Sequence, residues 1–334
     1  MKRYCLELGN IYMSATTPLV SVIMSIYNSH QTIIRAVDSI ICQTYQNIEI
    51  IIIDDASEDC SVDIIKEYID KDNRIQIHTQ KKNIGIHRNF NFLLSKAKGE
   101  YFAWAAVDDY LDNDFMGKNL KILESDKSVV SSVGKIIPYG VDSLEIDSTL
   151  VDTSVFPKFL KNFIKSGRRR KMIDAGPVSG NMNYKIRTFF EITKSLGRWY
   201  GVHRTEQLKK CIIEKPFINV EVSVFLNLLR LGDFHEESST TLYEFDEGIS
   251  SRGIINMAKY SGHNLFETLF PFYPFTKWVI QNFGVSTFFR NFDILFKMNL
   301  GGEFALLVDI FLKFYNILLL LYPNKISKIF FTIF

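Results

Sequence analysis

The sequence has little of what marks several common protein classes. Its 334 residues contain four cysteines, Cys5, Cys42, Cys60 and Cys211. They are too few and too scattered for a disulfide framework or a CxxC metal knuckle, so reduced thiols are expected. The six histidines (His30, His78, His87, His203, His235 and His263) form no HExxH pair, which argues against a zinc site. No GxSxG or Cys-His nucleophile pattern occurs. A formal net charge of +2 leaves no basic field for nucleic acid, and zinc-finger and RNP-like spacings are missing. Residues 1–17 lack an apolar signal core and read as an N-terminal extension, with Met13 as an alternative start. The longest apolar stretch, Phe304 to Tyr322, is interrupted by Asp309, Lys313 and Asn316 on one helical face, too polar for a spanning helix.

What is present is an ordinary globular composition, 47% hydrophobic and 23% charged, with a regular alternation of strand and helix signals. Leu19 to Ile26 is an apolar β-rich run that ends in Tyr27-Asn28. Thr32 to Gln43 carries Ile33, Ile34, Val37, Ile40 and Ile41 at helical spacing, with Arg35 and Asp38 off that face. Ile48 to Asp55 is apolar almost throughout before two aspartates, as expected of a parallel strand covered on both faces. Ser57–Tyr68 predicts a helix, Ile75–His78 a strand, Ile86–Ala97 a helix ended by Gly99, and Glu100–Val107 a strand that runs into Asp108-Asp109.

This rhythm predicts a doubly wound α/β sheet whose ligands lie beyond the carboxyl ends of its strands. Tyr27, Asp54-Asp55 and Asp108-Asp109 all stand at such ends. Adjacent carboxylates there suit a hard divalent cation, which takes oxygen ligands and substrate phosphates. Periodicity weakens between Glu124 and Arg170, where Ser166–Lys171 is a basic run, either a solvated loop or a contact for a diphosphate or an anionic acceptor. A helix is expected from Val220 to Leu231 and a strand from Thr240 to Phe245. From Ser251 onward the chain holds 15 of its 28 phenylalanines and eight Lys/Arg against four Asp/Glu, a composition suited to a bilayer surface.

The motifs Val20–Asn28, Gln43-Thr-Tyr45, Ile53–Ser57, Asn83-Ile-Gly85, Arg88-Asn89, Gly99-Glu-Tyr101 and Asp108-Asp109, in this order and spacing, resemble the family 2 glycosyltransferases. The resemblance covers Pro18 to Leu123 strongly and Trp199 to Ser251 loosely. It implies a GT-A fold, a doubly wound mixed sheet with a nucleotide-sugar-binding half (18–123) and an acceptor half (124–250). An aromatic-rich helical region (251–334) would follow.

By the same resemblance Tyr27 lies against the donor base with Ser25 beside it, Asp55 accepts the base N–H, and Arg88 is a phosphate partner or a solvated arginine. Asp108 approaches the ribose or the metal, and Asp109 is the principal ligand of Mn2+ or Mg2+. Asp54 suits a capping role, and Asn83 and Gly85 a turn. Glu221, in the apolar context Asn219–Leu226, matches the position of the family's catalytic base, with Glu206, Asp233 and Glu237 as alternatives. His203 is expected to pack, and no metal ligand is expected in Glu244–Ser250.

One departure is Ala106, where many members of the family carry the first carboxylate of Asp-Xaa-Asp. The expectation is an inverting, metal-dependent transfer of a hexose-type sugar from a nucleotide diphosphate, UDP above all, to a glycan or lipid-linked glycan. The setting would be bacterial surface-polysaccharide assembly (O-antigen or capsule), in the cytoplasm with peripheral contact at the inner membrane face. Transfer to polyprenyl phosphate and a catalytically silent nucleotide-sugar-binding assembly protein remain open alternatives.

Overall fold

The computed structural model describes residues 17–139, 176–192, 196–245, 253–260 and 263–321. The N-terminal extension, the basic run Ser166–Lys171 and the last residues of the chain lie outside these. The described residues fall into two compact units, one of 17–139 with 176–245, the other of 253–321.

The first unit is built on one eight-stranded sheet. Its parallel part comprises β1 (Val20–Ile26), β2 (Ile48–Asp54), β3 (Ile75–Thr79) and β4 (Tyr101–Trp104), in the order β3-β2-β1-β4. Every residue of β2 is buried, which is why its sequence is a run of isoleucine rather than an alternation. One charge interrupts it. Glu49 pairs in register with Ser21 of β1, accepts its hydroxyl at 2.5 Å and takes the Lys98 N–H at 2.8 Å, so the buried carboxylate is satisfied. Gly99 is required beside this pair, because a Cβ there would stand 2.6 Å from the Ser21 nitrogen.

Helix α1 (Ile33–Ile41) buries Ile33, Ala36, Val37 and Ile40 against the sheet. Helices α2 (Ser61–Ile69) and α3 (Ile86–Lys96) complete the wound half. The expected helix from Ser57 begins four residues later, since Asp54 holds the Ser57 N–H at 3.1 Å and keeps that turn outside the helix. The strand expected to reach Val107 stops at Trp104, and the chain from Ala105 to Asp109 is loop.

Beyond β4 the sheet changes direction. The remaining order is β7-β6-β8-β5, with β5 (Tyr110–Leu111), β6 (Val129–Tyr139), β7 (Val202–Arg204) and β8 (Asp233–Phe245). β7 pairs antiparallel with both β4 and β6, β6 runs parallel to β8, and β5 closes the edge antiparallel to β8. The β6–β8 register jumps between Gly134 and Lys135, where the partner advances from Glu237 to Thr241. Gly134 permits this, since a Cβ would meet the Thr240 carbonyl at 2.6 Å.

Between these strands lie α4 (Phe115–Ser125), α5 (Met182–Ile192), the short α6 (Thr205–Lys209) and α7 (Val220–Leu229). The buried Arg204 ties the two halves of the sheet. It donates to the carbonyls of Val129 (2.9 Å) and Leu123 and to the Tyr101 hydroxyl (3.0 Å), and so supplies partners for carbonyls at the end of α4. Next to it, Thr205 donates its N–H to the Glu100 carbonyl and its hydroxyl to the Gly99 carbonyl.

The second unit is helical: α8 (Ile254–Tyr260), α9 (Leu265–Leu269), α10 (Tyr273–Arg290) and α11 (Phe292–Leu321). Asn264 and Glu267 form a capping box at the start of α9, and Gly284 (φ 83°) breaks the helical path inside α10. Asp309 of α11 accepts the Ile255 N–H at 2.9 Å, so the aspartate that interrupts the apolar stretch serves the start of α8. Phe292, Phe296, Leu300, Leu307, Phe311 and Phe314 are exposed along α11. Among the described residues, no helix is long and apolar enough to cross a membrane.

Among the described residues, Cys60 is exposed and Cys211 buried, and both are free thiols.

Candidate active site

The carboxyl ends of β1, β2 and β4 lie on one edge of the sheet because the three strands run parallel and adjacent. The edge sits where the parallel half gives way to the antiparallel half, the place at which open α/β sheets bind ligands. Among the described residues, three non-glycine positions take a left-handed φ: Asn28 (48°), Ala56 (64°) and Asn219 (70°). Asn28 and Ala56 immediately follow β1 and β2, and Asn219 begins α7. Strain of this kind costs about 1–2 kcal/mol per residue for an ordinary side chain and gathers where a surface is shaped for a ligand.

On the parallel side, Tyr27 is exposed and Ser25 half-buried at the end of β1. The Ser25 hydroxyl accepts from the buried Asn89 amide at 3.3 Å. Asp55 is buried and both of its oxygens are engaged, one by the Ile84 N–H at 2.8 Å and the other by the Gly85 N–H at 3.0 Å. It thus clamps the loop into α3, with Gly85 at φ 86°. Each oxygen still has a second acceptor direction. Arg88 is exposed in the first turn of α3. Asp54 is a cap for Ser57.

Asp108 and Asp109 differ sharply. Asp108 is half-buried, and its carbonyl accepts from Arg35 at 3.3 Å and from the Tyr139 hydroxyl. Asp109, which the sequence suggested as an open strand-end ligand, is 5% exposed. One of its oxygens accepts the Phe245 N–H at 2.8 Å, and the other is buried without a hydrogen-bond partner. Burial, then the charge of Asp108, holds its carboxyl well above the usual carboxylate range. The same side chain lines a small cavity with Ala36, Trp104, Ala106, Tyr200 and Leu242. Ala106 therefore faces the space in which a second carboxylate would crowd Asp109.

Tyr200 joins the site from the other half. Burial, followed by the charges of Asp109, Asp108, Glu244 and Glu221, pushes its phenol far up. Four carboxylates from a loop, β8 and the start of α7 thus act on one hydroxyl. Glu221 stands in the first turn of α7, and burial raises its carboxyl above the usual range. The alternatives to it are engaged elsewhere. Glu206 pairs with Lys209 at 3.1 Å, Asp233 with Lys185 at 2.6 Å, and Glu237 accepts from Ser239 at 2.6 Å. His203 is packed against Phe225 with its pKa lowered to about 4 by burial.

Sequence reading passed over Tyr200, Glu244, Arg35 and Tyr139. Nothing in local periodicity marks them, since each is brought in by strand pairing across the sheet or by the α1 packing. Arg35 is the one that left a trace, as a charge off the apolar face of its helix.

For a divalent cation the donor set is suitable: an unpartnered buried carboxylate oxygen beside a second carboxylate, in an acidic field. Among the described residues, no three of His, Cys, Asp and Glu stand close enough to cage an ion. The residues fit a cation that takes one or two carboxylates and completes its shell with phosphate oxygens and water.

A mixed sheet of this order, with acidic residues gathered at its switch point, has the GT-A architecture. Residues 21–185, just under half of the chain, match the model of glycosyl transferase family 2, so this part of the chain is a family 2 glycosyltransferase domain. An uncharacterized glycosyltransferase of Haemophilus influenzae is 40% identical over 106 residues, 32% of this chain and 42% of the relative. The putative glycosyltransferase EpsH of Bacillus subtilis is 36% identical over 115 residues, 34% and 33% of the two chains. The matched region thus spans less than half the length of these relatives. The crystal structure of S. aureus TarS 1–349 with UDP-GlcNAc has a TM-score of 0.51 at 18% identity, over 72% of this chain and 64% of that one, a likeness of fold.

Proposed function

We propose that the protein is an inverting, metal-dependent glycosyltransferase that moves a hexose-type sugar from a nucleotide diphosphate, UDP above all, to a glycan or lipid-linked glycan in surface-polysaccharide synthesis. The observation that carries this reading is the convergence of Asp108, Asp109, Glu244 and Glu221 on Tyr200 at the carboxyl edge of the sheet. Tyr27 and Ser25 line the donor base, Asp55 accepts its N–H with the lone-pair directions left by the loop clamp, and Arg88 approaches the phosphates. Asp108 and Asp109 hold Mn2+ or Mg2+, with Asp108 on the open side. The bound cation stabilises charge on the diphosphate as it leaves.

Glu221 is the base that takes the proton from the attacking acceptor hydroxyl. Its apolar surroundings raise its proton affinity toward the range a base needs near neutral pH. The exposed aromatic stripe of α11 supports peripheral attachment of the helical unit to the cytoplasmic face of the inner membrane, where a lipid-linked acceptor would reside.

The test is a thermal-shift panel of UDP, GDP, dTDP and CDP, each with Mn2+, Mg2+ or EDTA. The expected result is a metal-dependent rise in Tm for one nucleotide, UDP, that Asp108→Asn removes. A panel with no shift at all would overturn the reading.

A further inference from the structure

Among the described residues, Arg35 is a cationic side chain that reaches the paired aspartates and that the roles above leave unused. It lies in the first turn of α1, exposed, with its guanidinium 4.5 Å from the centre of the Tyr139 ring and 5.1 Å from that of Tyr110. Tyr110 is in turn stacked on Tyr243 at 4.4 Å and 7°. One guanidinium nitrogen, Nη2, is spent on the Asp108 carbonyl and the Tyr139 hydroxyl. Nε and Nη1 have no hydrogen-bond partner among the described residues, and no described carboxylate lies within ion-pair distance of Arg35, although its charge acts on Asp109.

A solvated surface arginine is not built this way. Ring faces and a carbonyl fix its plane, while three N–H donors stay open beside the residues assigned to the cation. Arginine presents such donors in a rigid fork that matches phosphoryl oxygens, and pre-orientation lowers the entropy lost on binding them. The chain also lacks one carboxylate at Ala106, which reduces the negative charge a diphosphate must meet.

Resting on the reading above, we propose that Arg35 is a donor-binding residue that grips the phosphoryl oxygens of the nucleotide diphosphate and shares their neutralisation with the metal ion. Part of diphosphate affinity then survives without metal, and that part depends on Arg35.

The test is titration calorimetry of the full chain with UDP, GDP, dTDP and CDP, and with the nucleoside of the tightest binder, in Mn2+ and in EDTA. Arg35→Gln should weaken the diphosphate tenfold or more in both buffers and leave the nucleoside unchanged. Arg35→Lys, which keeps the charge and the helix but not the fork, should show a smaller loss of the same selectivity. It decides the matter if the glutamine variant does not fold. Unchanged diphosphate affinity in a folded variant, or equal losses for diphosphate and nucleoside, would overturn the proposal and make Arg35 a latch for the Asp108 loop. A wild-type chain that binds none of the four fails at the earlier step, and the nucleotide-transferase reading falls with it.

Discussion

The two halves of the sheet are made differently. In the parallel half, the central strands β1, β2 and β4 are largely apolar apart from the buried Ser21–Glu49 pair, helices cover them, and the site's polar residues stand at the strand ends. In the mixed half, polar groups are more often buried within the strands themselves: Ser131, Ser132, His203 and Arg204 are all buried, and the parallel β6–β8 ladder is broken by a register jump. The first construction gives a stiff edge on which a nucleotide can be seated. The second brings in groups from far along the chain, among them Tyr200, Glu244 and, through α7, Glu221. The lesson is a division of labour in which one half would hold the donor and the other would act on the acceptor.

The sharpest way to break that division is Glu221→Gln. Transfer should fall on the order of 10²–10⁴-fold with nucleotide affinity unchanged, measured by product formation beside calorimetric titration. Lost affinity with transfer intact would erase the boundary. In the wild type, activity should rise with pH through the Glu221 ionisation, above the ordinary glutamate range, because burial favours its neutral form.

On the parallel side, Asp55→Ala should act through structure. The N–H groups of Ile84 and Gly85 lose their acceptor, at a cost of about 2–3 kcal/mol, read as a lower denaturant midpoint with an unchanged slope. Nucleotide affinity should fall with it, because the acceptor proposed for the base N–H is removed and α3, which carries Arg88, loses its clamp. A stable variant with normal affinity would mean that the loop is held by other means.

Asp109 sits on the seam, and Asp109→Asn asks which side governs it. Its folded pKa is raised, so its contribution to stability is greatest below its unfolded pKa and is lost as pH rises through the folded value. Without metal, the asparagine variant should therefore melt above the wild type at pH 8, and the gap should close toward pH 4. Added Mn2+ should raise the wild-type Tm and leave the variant unmoved. This is the smallest of the three effects.

How much of this was legible follows the same line. The strands and helices from Leu19 to Trp104 could be read because each apolar run or helical face is contiguous in sequence. β6 could not, since Val129–Tyr139 mixes serine, glycine and lysine whose partners lie on β7 and β8. Tyr27, Asp55 and Asp108 were marked by position, at the end of readable strands. The burial of Asp109 was hidden because the Phe245 N–H that holds it is 136 residues away. Tyr200 was invisible for a similar reason, as its acidic neighbours come from three separate segments.

The joint between β4 and β7 has a consequence for how the protein is made. β4 emerges from the ribosome with one edge unpaired, and the strand that covers it, together with Arg204 and Thr205, is translated about 100 residues later. At elongation speeds of about 5–20 residues per second, the nascent sheet carries an open, apolar border for roughly 5–20 seconds. Over that interval the uncovered edge offers a surface for aggregation or for chaperones, and slow codons between Trp104 and Val202 would lengthen the exposure.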